Sequence, residues 1–151
     1  MTKLFEASDF LAAARKKFRC GVLSRVPLSL LRVEWEGDTV GCDWLMRPSD
    51  PWDRYIPDHV ARENQTLQAL RDALDLREAV FKSFPSVMYA ELRMFQQNAD
   101  HQLELLMTGT ISRTNEVLHR VPSVTMRAKL CGFQFTLADG ALKSLVPVSA
   151  W

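Results

Sequence analysis

The chain has 151 residues, 47% hydrophobic and 25% charged, with a formal net charge of +1, close to the average soluble domain. A chain of that length buries enough of itself to fold without disulfides or structural metal, so one domain spanning residues 1–151 is expected. The near-zero balance excludes a strongly basic nucleic-acid binder and an acidic solvating tail as the identity of the whole molecule.

Residues 1–35 carry seven Lys/Arg against three Asp/Glu, and residues 36–85 six against ten. Such an asymmetry can set a basic end near an acidic one in an oligomer or reflect helix-end preferences, and the second reading is favoured, since acidic residues favour helix starts and basic residues helix ends. The three cysteines, Cys20, Cys42 and Cys131, are far apart and form no C-x-x-C pair, a pattern of reduced thiols in a cytoplasmic protein. Charges at Lys3, Glu6, Asp9 and Arg15–Lys17 leave no apolar secretory core, and no apolar stretch has the ~18 residues of a membrane helix.

Ser8 or Asp9 can cap a first helix in which Phe10, Leu11, Ala14 and Phe18 share a face, with Gly21 placed to end it. Its basic last turn, Arg15, Lys16 and Lys17, complements the negative end of the helix dipole. Without interleaved aromatics it does not point to nucleic acid. From Leu28 the period changes to two, with Leu31, Val33 and Trp35 on one face, and Glu36, Gly37 and Asp38 supply turn chemistry. Val40, Cys42, Trp44 and Met46 then alternate with polar or small residues, so the pair reads as a β-hairpin.

Residues 48–57 hold three prolines and form a loop, because proline cannot donate to a central ladder. A long helix is predicted from near Asp58 to Pro85 on the stripe Val60, Leu67, Leu70, Leu74, Phe81 and Phe84. Asp75 followed by Glu78 matches a capping box and predicts a break or kink near Leu74. Thereafter three strands are predicted on the core positions Met88–Met94, Leu103–Ile111 and Val124–Leu130. The apolar parity flips after Leu130, which predicts a β-bulge or a sharp bend at Gly132, and Asp139-Gly140 centres a hairpin that sets Leu137 opposite Leu142.

The fold class that results is α+β: a curved antiparallel sheet of about six strands, order α-β-β-α-β-β-β-β, with two helices packed on one face. The opposite face, including Glu91, Arg93, Thr108 and Thr110, is expected to be solvated.

His59 and Glu63 stand one helical turn apart, with Asp53 nearby, a spacing that suits acid–base work but lacks the further ligand a metal needs. His101 and His119 fall in turns, and the chain contains no G-x-S-x-G, H-E-x-x-H, P-loop or G-x-G-x-x-G motif. No cofactor and no metal is implied. Trp44, Trp52, Tyr55 and Trp151 stand out as large rings at the hairpin, in the proline-rich loop and at the end of the sequence, where they either bind or tether. The candidate ligand- or partner-binding residues are therefore Trp44, Trp52, Asp53, Tyr55, His59 and Glu63.

Two functional readings follow. The first is a non-catalytic binding or assembly module that forms a homo-oligomer. The second is an enzyme or carrier for a small apolar ligand, with Asp43, Asp53 or His59 approaching a cavity lined by Trp44, Met88 and Met107 between sheet and long helix.

Overall fold

A computed structural model describes residues 10–12, 14–15, 27–48, 51–115 and 120–145, and for Trp52 and Asp53 the backbone alone. The expected roles of Lys16, Lys17, Phe18, Cys20, Gly21, His119 and Trp151 lie outside the described residues. Strands β1 (Ser29–Glu36) and β2 (Thr39–Leu45) lead through a 3-10 turn (Pro51–Tyr55) to helix α1 (Asp58–Ser83). Strands β3 (Tyr89–Gln97) and β4 (Leu103–Ser112), helix α2 (Val124–Cys131), and strands β5 (Gln134–Ala138) and β6 (Ala141–Lys143) complete the order. The six strands lie in sequence order, β1-β2-β3-β4-β5-β6. This is the expected α+β class.

Every strand pair is antiparallel except β2 and β3, which run parallel. The all-antiparallel expectation is corrected at this one pair. A parallel pair needs a crossover that returns the chain to the same end of the sheet, and α1 provides it. The two hairpins form as their turn residues dictate: Gly37 adopts φ +60° between β1 and β2, and Asp139 and Gly140 adopt φ +53° and +75°. In the second hairpin positive φ at both central residues matches the twist of the flanking strands, and Leu137 indeed faces Leu142.

Along β1 the pairing slips between Leu30 and Arg32, so Leu31 is extruded and 43% exposed while Leu30 packs against the core. The bulge corrects the alternation expected for this strand, which had placed Leu31 inward. A second slip between Met94 and Phe95 leaves Leu106 fully buried and Leu105 half-buried on the other side of the sheet.

Helix α1 is continuous through Leu74, against the expected break. A capping box acts only where backbone N–H groups are orphaned, and here the buried residues Leu70, Leu74, Leu76, Val80 and Phe81 hold the helix on the sheet across that point. Carbonyls at its C-terminus and in the loop beyond are met by Arg113, whose guanidinium donates to Phe81 O (3.1 Å), Phe84 O (2.7 Å) and Val87 O (2.7 Å). The same group lies 4.7 Å from the centre of the Phe81 ring. A cation at this end of a helix answers both the unpaired carbonyls and the dipole.

The segment Val124–Cys131 is a helix and not the expected strand. Its apolar residues also fit a helical face, and the three that are buried are Val124, Ala128 and Cys131, spaced four and three apart. Met126 and Leu130, assigned to a strand's core face, are 53% and 49% exposed. Ser123 caps the first turn by accepting from Met126 N–H at 3.2 Å. Of the expected β-bulge or sharp bend at Gly132, no bulge forms: at φ +120° this residue ends the helix, its N–H donating to Ala128 O and Lys129 O.

The core lies between one face of the sheet and α1. Val40, Cys42 and Trp44 from β2, Ala90, Leu92 and Met94 from β3, and Met107 and Ile111 from β4 all point into it. Phe10 and Ala14 of the N-terminal helical residues are buried in the same core. The Phe84 ring joins Phe10 (5.7 Å between centres) to Trp35 (5.1 Å, edge-on) and so ties that segment to α1 and β1. A buried ion pair fastens the end of β2 to α1: Arg47 donates to both oxygens of Asp72 at 2.8 and 3.0 Å, and Gln68 donates to Asp72 at 2.9 Å.

Candidate functional site

Alternation along β2 sends Cys42 and Trp44 to the core and Asp43 to the face of the sheet away from α1. In the first hairpin Asp43 pairs directly with Arg32, and across the parallel pair it neighbours Arg93. Both arginines present forks to the one carboxylate. Arg32 donates from Nε at 2.9 Å and from Nη2 at 3.2 Å. Arg93 donates from Nε at 2.9 Å and from Nη2 at 2.7 Å. Four charge-assisted hydrogen bonds converge on a residue that is only 5% exposed.

The neighbouring positions shape the space around this cluster. Glu34 binds the remaining arm of Arg32 at 2.7 Å. The Arg32 guanidinium lies across Gly41, where an added Cβ would come within 2.9 Å of its Nη2. Glycine at 41 therefore lets the arginine lie flat on the strand. The Arg93 guanidinium also stands 5.4 Å from the centre of the Phe95 ring, two residues along the same face. Arg32, Glu34, Glu91, Arg93, Thr108 and Thr110 line an open concavity of about 510 Å³ on this side of the sheet.

Burial opposes ionisation of Asp43, but the forks of Arg93 and Arg32 together outweigh it and hold the carboxyl below the ordinary carboxylate range. A carboxyl lowered in the folded state contributes stability that is complete above its unfolded pKa and lost as pH falls through the lower folded value. Asp43→Asn is therefore expected to cost about 1–3 kcal/mol at neutral pH. The difference from the unaltered protein is expected to shrink below the ordinary carboxylate range, near pH 4. Urea unfolding at neutral pH and at about pH 3 checks this. A deficit that stays constant across the two would show that the carboxylate charge is not what stabilises the cluster.

The residues singled out in the sequence do not converge on one site. Trp44 is fully buried and serves the core, on the opposite side of the sheet from Asp43. Met107 is likewise fully buried, whereas Met88 is 40% exposed. Trp52 and Asp53 lie in the 3-10 turn, with their side chains outside the described residues. Tyr55, in the same turn, is 71% exposed, and its hydroxyl accepts from Arg54 at 2.8 Å. That ring does not pack back onto the sheet. His59 and Glu63 are both exposed on the first turns of α1, with Glu63 running past Gly140. Among the described residues no group of three or more His, Cys, Asp or Glu could hold a metal ion.

Both described cysteines are buried. Burial pushes the Cys42 thiol up to about 12 and raises that of Cys131 as well, so neither is a thiolate at neutral pH. His101 occupies a left-handed turn position (φ +60°), in a loop where Asn98 Oδ1 accepts from the N–H groups of Asp100 and Gln102. Among the described residues no helix is long and apolar enough to cross a membrane.

The Arg32–Asp43 half of the cluster has a signal in the sequence. A two-residue turn at Gly37-Asp38 pairs Glu36 with Thr39, and counting outward from it brings Arg32 opposite Asp43. Arg93 has no such local signal, because its neighbour across the ladder is set by the crossover through α1.

No family model matches the chain, and no curated protein or solved structure matches it.

Proposed function

We propose that this chain is a non-catalytic assembly module that self-associates through the open face of its sheet. The observation that carries this reading is the order built into that face. Two arginines are locked by one nearly buried aspartate, so their charges are held in place before any partner arrives. Exposed or half-exposed rings and aliphatics, Tyr89, Phe95 and Leu105, flank them. A fixed charge pattern between apolar contacts suits recognition of another protein surface, where charge sets register and apolar area supplies affinity.

Self-association through the edge of β1 is less well supported. The extruded Leu31 interrupts that edge, and Arg32, Glu34 and Glu36 follow it, which are devices that keep sheet edges from pairing.

Native mass spectrometry of the purified protein tests the proposal. A species of twice the 17.2 kDa chain mass that grows with concentration is expected. A single-chain mass throughout would overturn it. The concavity of about 510 Å³ supports a second reading, a small polar ligand held between Arg93, Glu91 and the two threonines. The same spectrum would report that ligand as an adduct of definite mass.

A further inference from the structure

The open face of β1–β4 consists of cross-strand rows. In order along the strands they are Glu36–Thr39–Tyr89–Ser112, then Glu34–Gly41–Glu91–Thr110, then Arg32–Asp43–Arg93–Thr108, and then Ser29–Leu45–Phe95–Leu105. Down the middle strand β3 the outward residues therefore read Tyr89, Glu91, Arg93, Phe95: ring, anion, cation, ring. This order is complementary to its own reverse. A two-fold axis lying between two stacked faces, perpendicular to β3 and level with Leu92, would set Arg93 of each copy over Glu91 of the other. The same axis would set Phe95 over Tyr89.

The geometry points to a second copy of this chain as the partner, bound face to face with β3 antiparallel across β3. This inference rests on the assembly reading and adds its register. Three observations carry it beyond the exposure of the face. Glu91 is exposed and makes no ion pair among the described residues, so its charge is available. Arg93 is 43% exposed at its side chain and uses Nε and Nη2 on Asp43, which leaves the donors of Nη1 for a further carboxylate. Tyr89 is 42% exposed and Phe95 half-buried, so each can contribute ring area to a contact.

The size of the face is consistent with this role. Four strands of seven to ten residues cover roughly 20 by 25 Å, on the order of 500 Å² in projection. Specific interfaces average about 800 Å² of accessible surface per partner, so this dimer belongs to the smaller ones and should dissociate on dilution. Each interfacial Arg93–Glu91 pair would occur twice by symmetry, so one substitution alters two contacts.

Charge exchange tests the register. Glu91→Arg removes no hydrogen bond or ion pair of the arginine–aspartate cluster and places like charges opposite each other at both symmetric contacts. It is expected to weaken self-association at least about tenfold in sedimentation equilibrium. Arg93→Glu is expected to do the same, and an equimolar mixture of the two variants is expected to form a heterodimer, because the altered charges oppose again. Circular dichroism melts report whether each variant folds.

Should Arg93→Glu fail to fold beside Asp43, Glu91→Arg together with Tyr89→Lys decides the matter, each being expected to weaken the dimer about tenfold. A dimer that Glu91→Arg leaves intact, or a mixture of folded variants that stays monomeric, would overturn this register while the assembly reading stands. An unaltered protein that is monomeric at every concentration would overturn both.

Discussion

Asp72→Ala is expected to destabilise the protein by about 3–5 kcal/mol, because it removes the carboxylate that pairs with the buried Arg47 guanidinium. Both side chains of this pair are only 2% exposed. Burial pushes the Asp72 carboxyl upward, against the pull of Arg47 and the hydrogen bond from Gln68. The contacts therefore do not fully repay what the charge loses on leaving water. An apolar pair of similar volume, Arg47→Met with Asp72→Leu, is accordingly expected to recover most of the stability lost by either single change. Urea unfolding of the two single variants and the double variant closes the cycle. Additive losses in the double variant would show that the pair does not act as a unit.

The second large effect is expected at Trp44. Truncating this fully buried ring to alanine removes the largest fully buried side chain among the described residues and leaves a cavity in the core, at a cost of about 3–5 kcal/mol. For a domain of this size that corresponds to a fall in Tm on the order of 10 °C. Trp44→Phe is expected to cost only about 1–2 kcal/mol. The indole Nε1 is buried without a hydrogen-bond partner among the described residues, so phenylalanine forfeits volume and no polar contact. Calorimetry of the two variants separates these contributions. A loss in Trp44→Phe as large as in Trp44→Ala would indicate that the indole nitrogen has a partner.

These two sites differ in how far the sequence discloses them. Trp44 follows the period-two alternation of Val40 and Cys42, so its burial is legible, although the same position was also a candidate binding ring. Arg47 and Asp72 stand 25 positions apart, in a loop and on a helix, and no local pattern connects them. Their pairing depends on how α1 settles against the end of β2.

The α+β class, both hairpin turns and the extent of the long helix follow from local chemistry. Gly37, Asp139 and Gly140 tolerate positive φ, the prolines at 51 and 57 interrupt pairing, and Pro85 bars continuation of the helix past Ser83. Val124–Cys131 was misleading because eight residues fit a period of two and a period of 3.6 equally well. Position beside the buried face of α1 selects the helix, through Val124, Ala128 and Cys131. The two slips in pairing, at Leu31 and Leu106, arise because two strands must keep both their ladder and their core contacts as the sheet twists.

What the open face can do was decided at the tertiary level. Arg32 and Asp43 meet through a turn that can be read along the chain, but Arg93 joins them only because α1 returns β3 parallel to β2. A parallel ladder is set by the length and packing of the crossover and carries no signature in the strands themselves. The order Tyr89, Glu91, Arg93, Phe95 is written in the sequence of one strand. It becomes part of one ordered face only once the neighbouring strands fix the arginine.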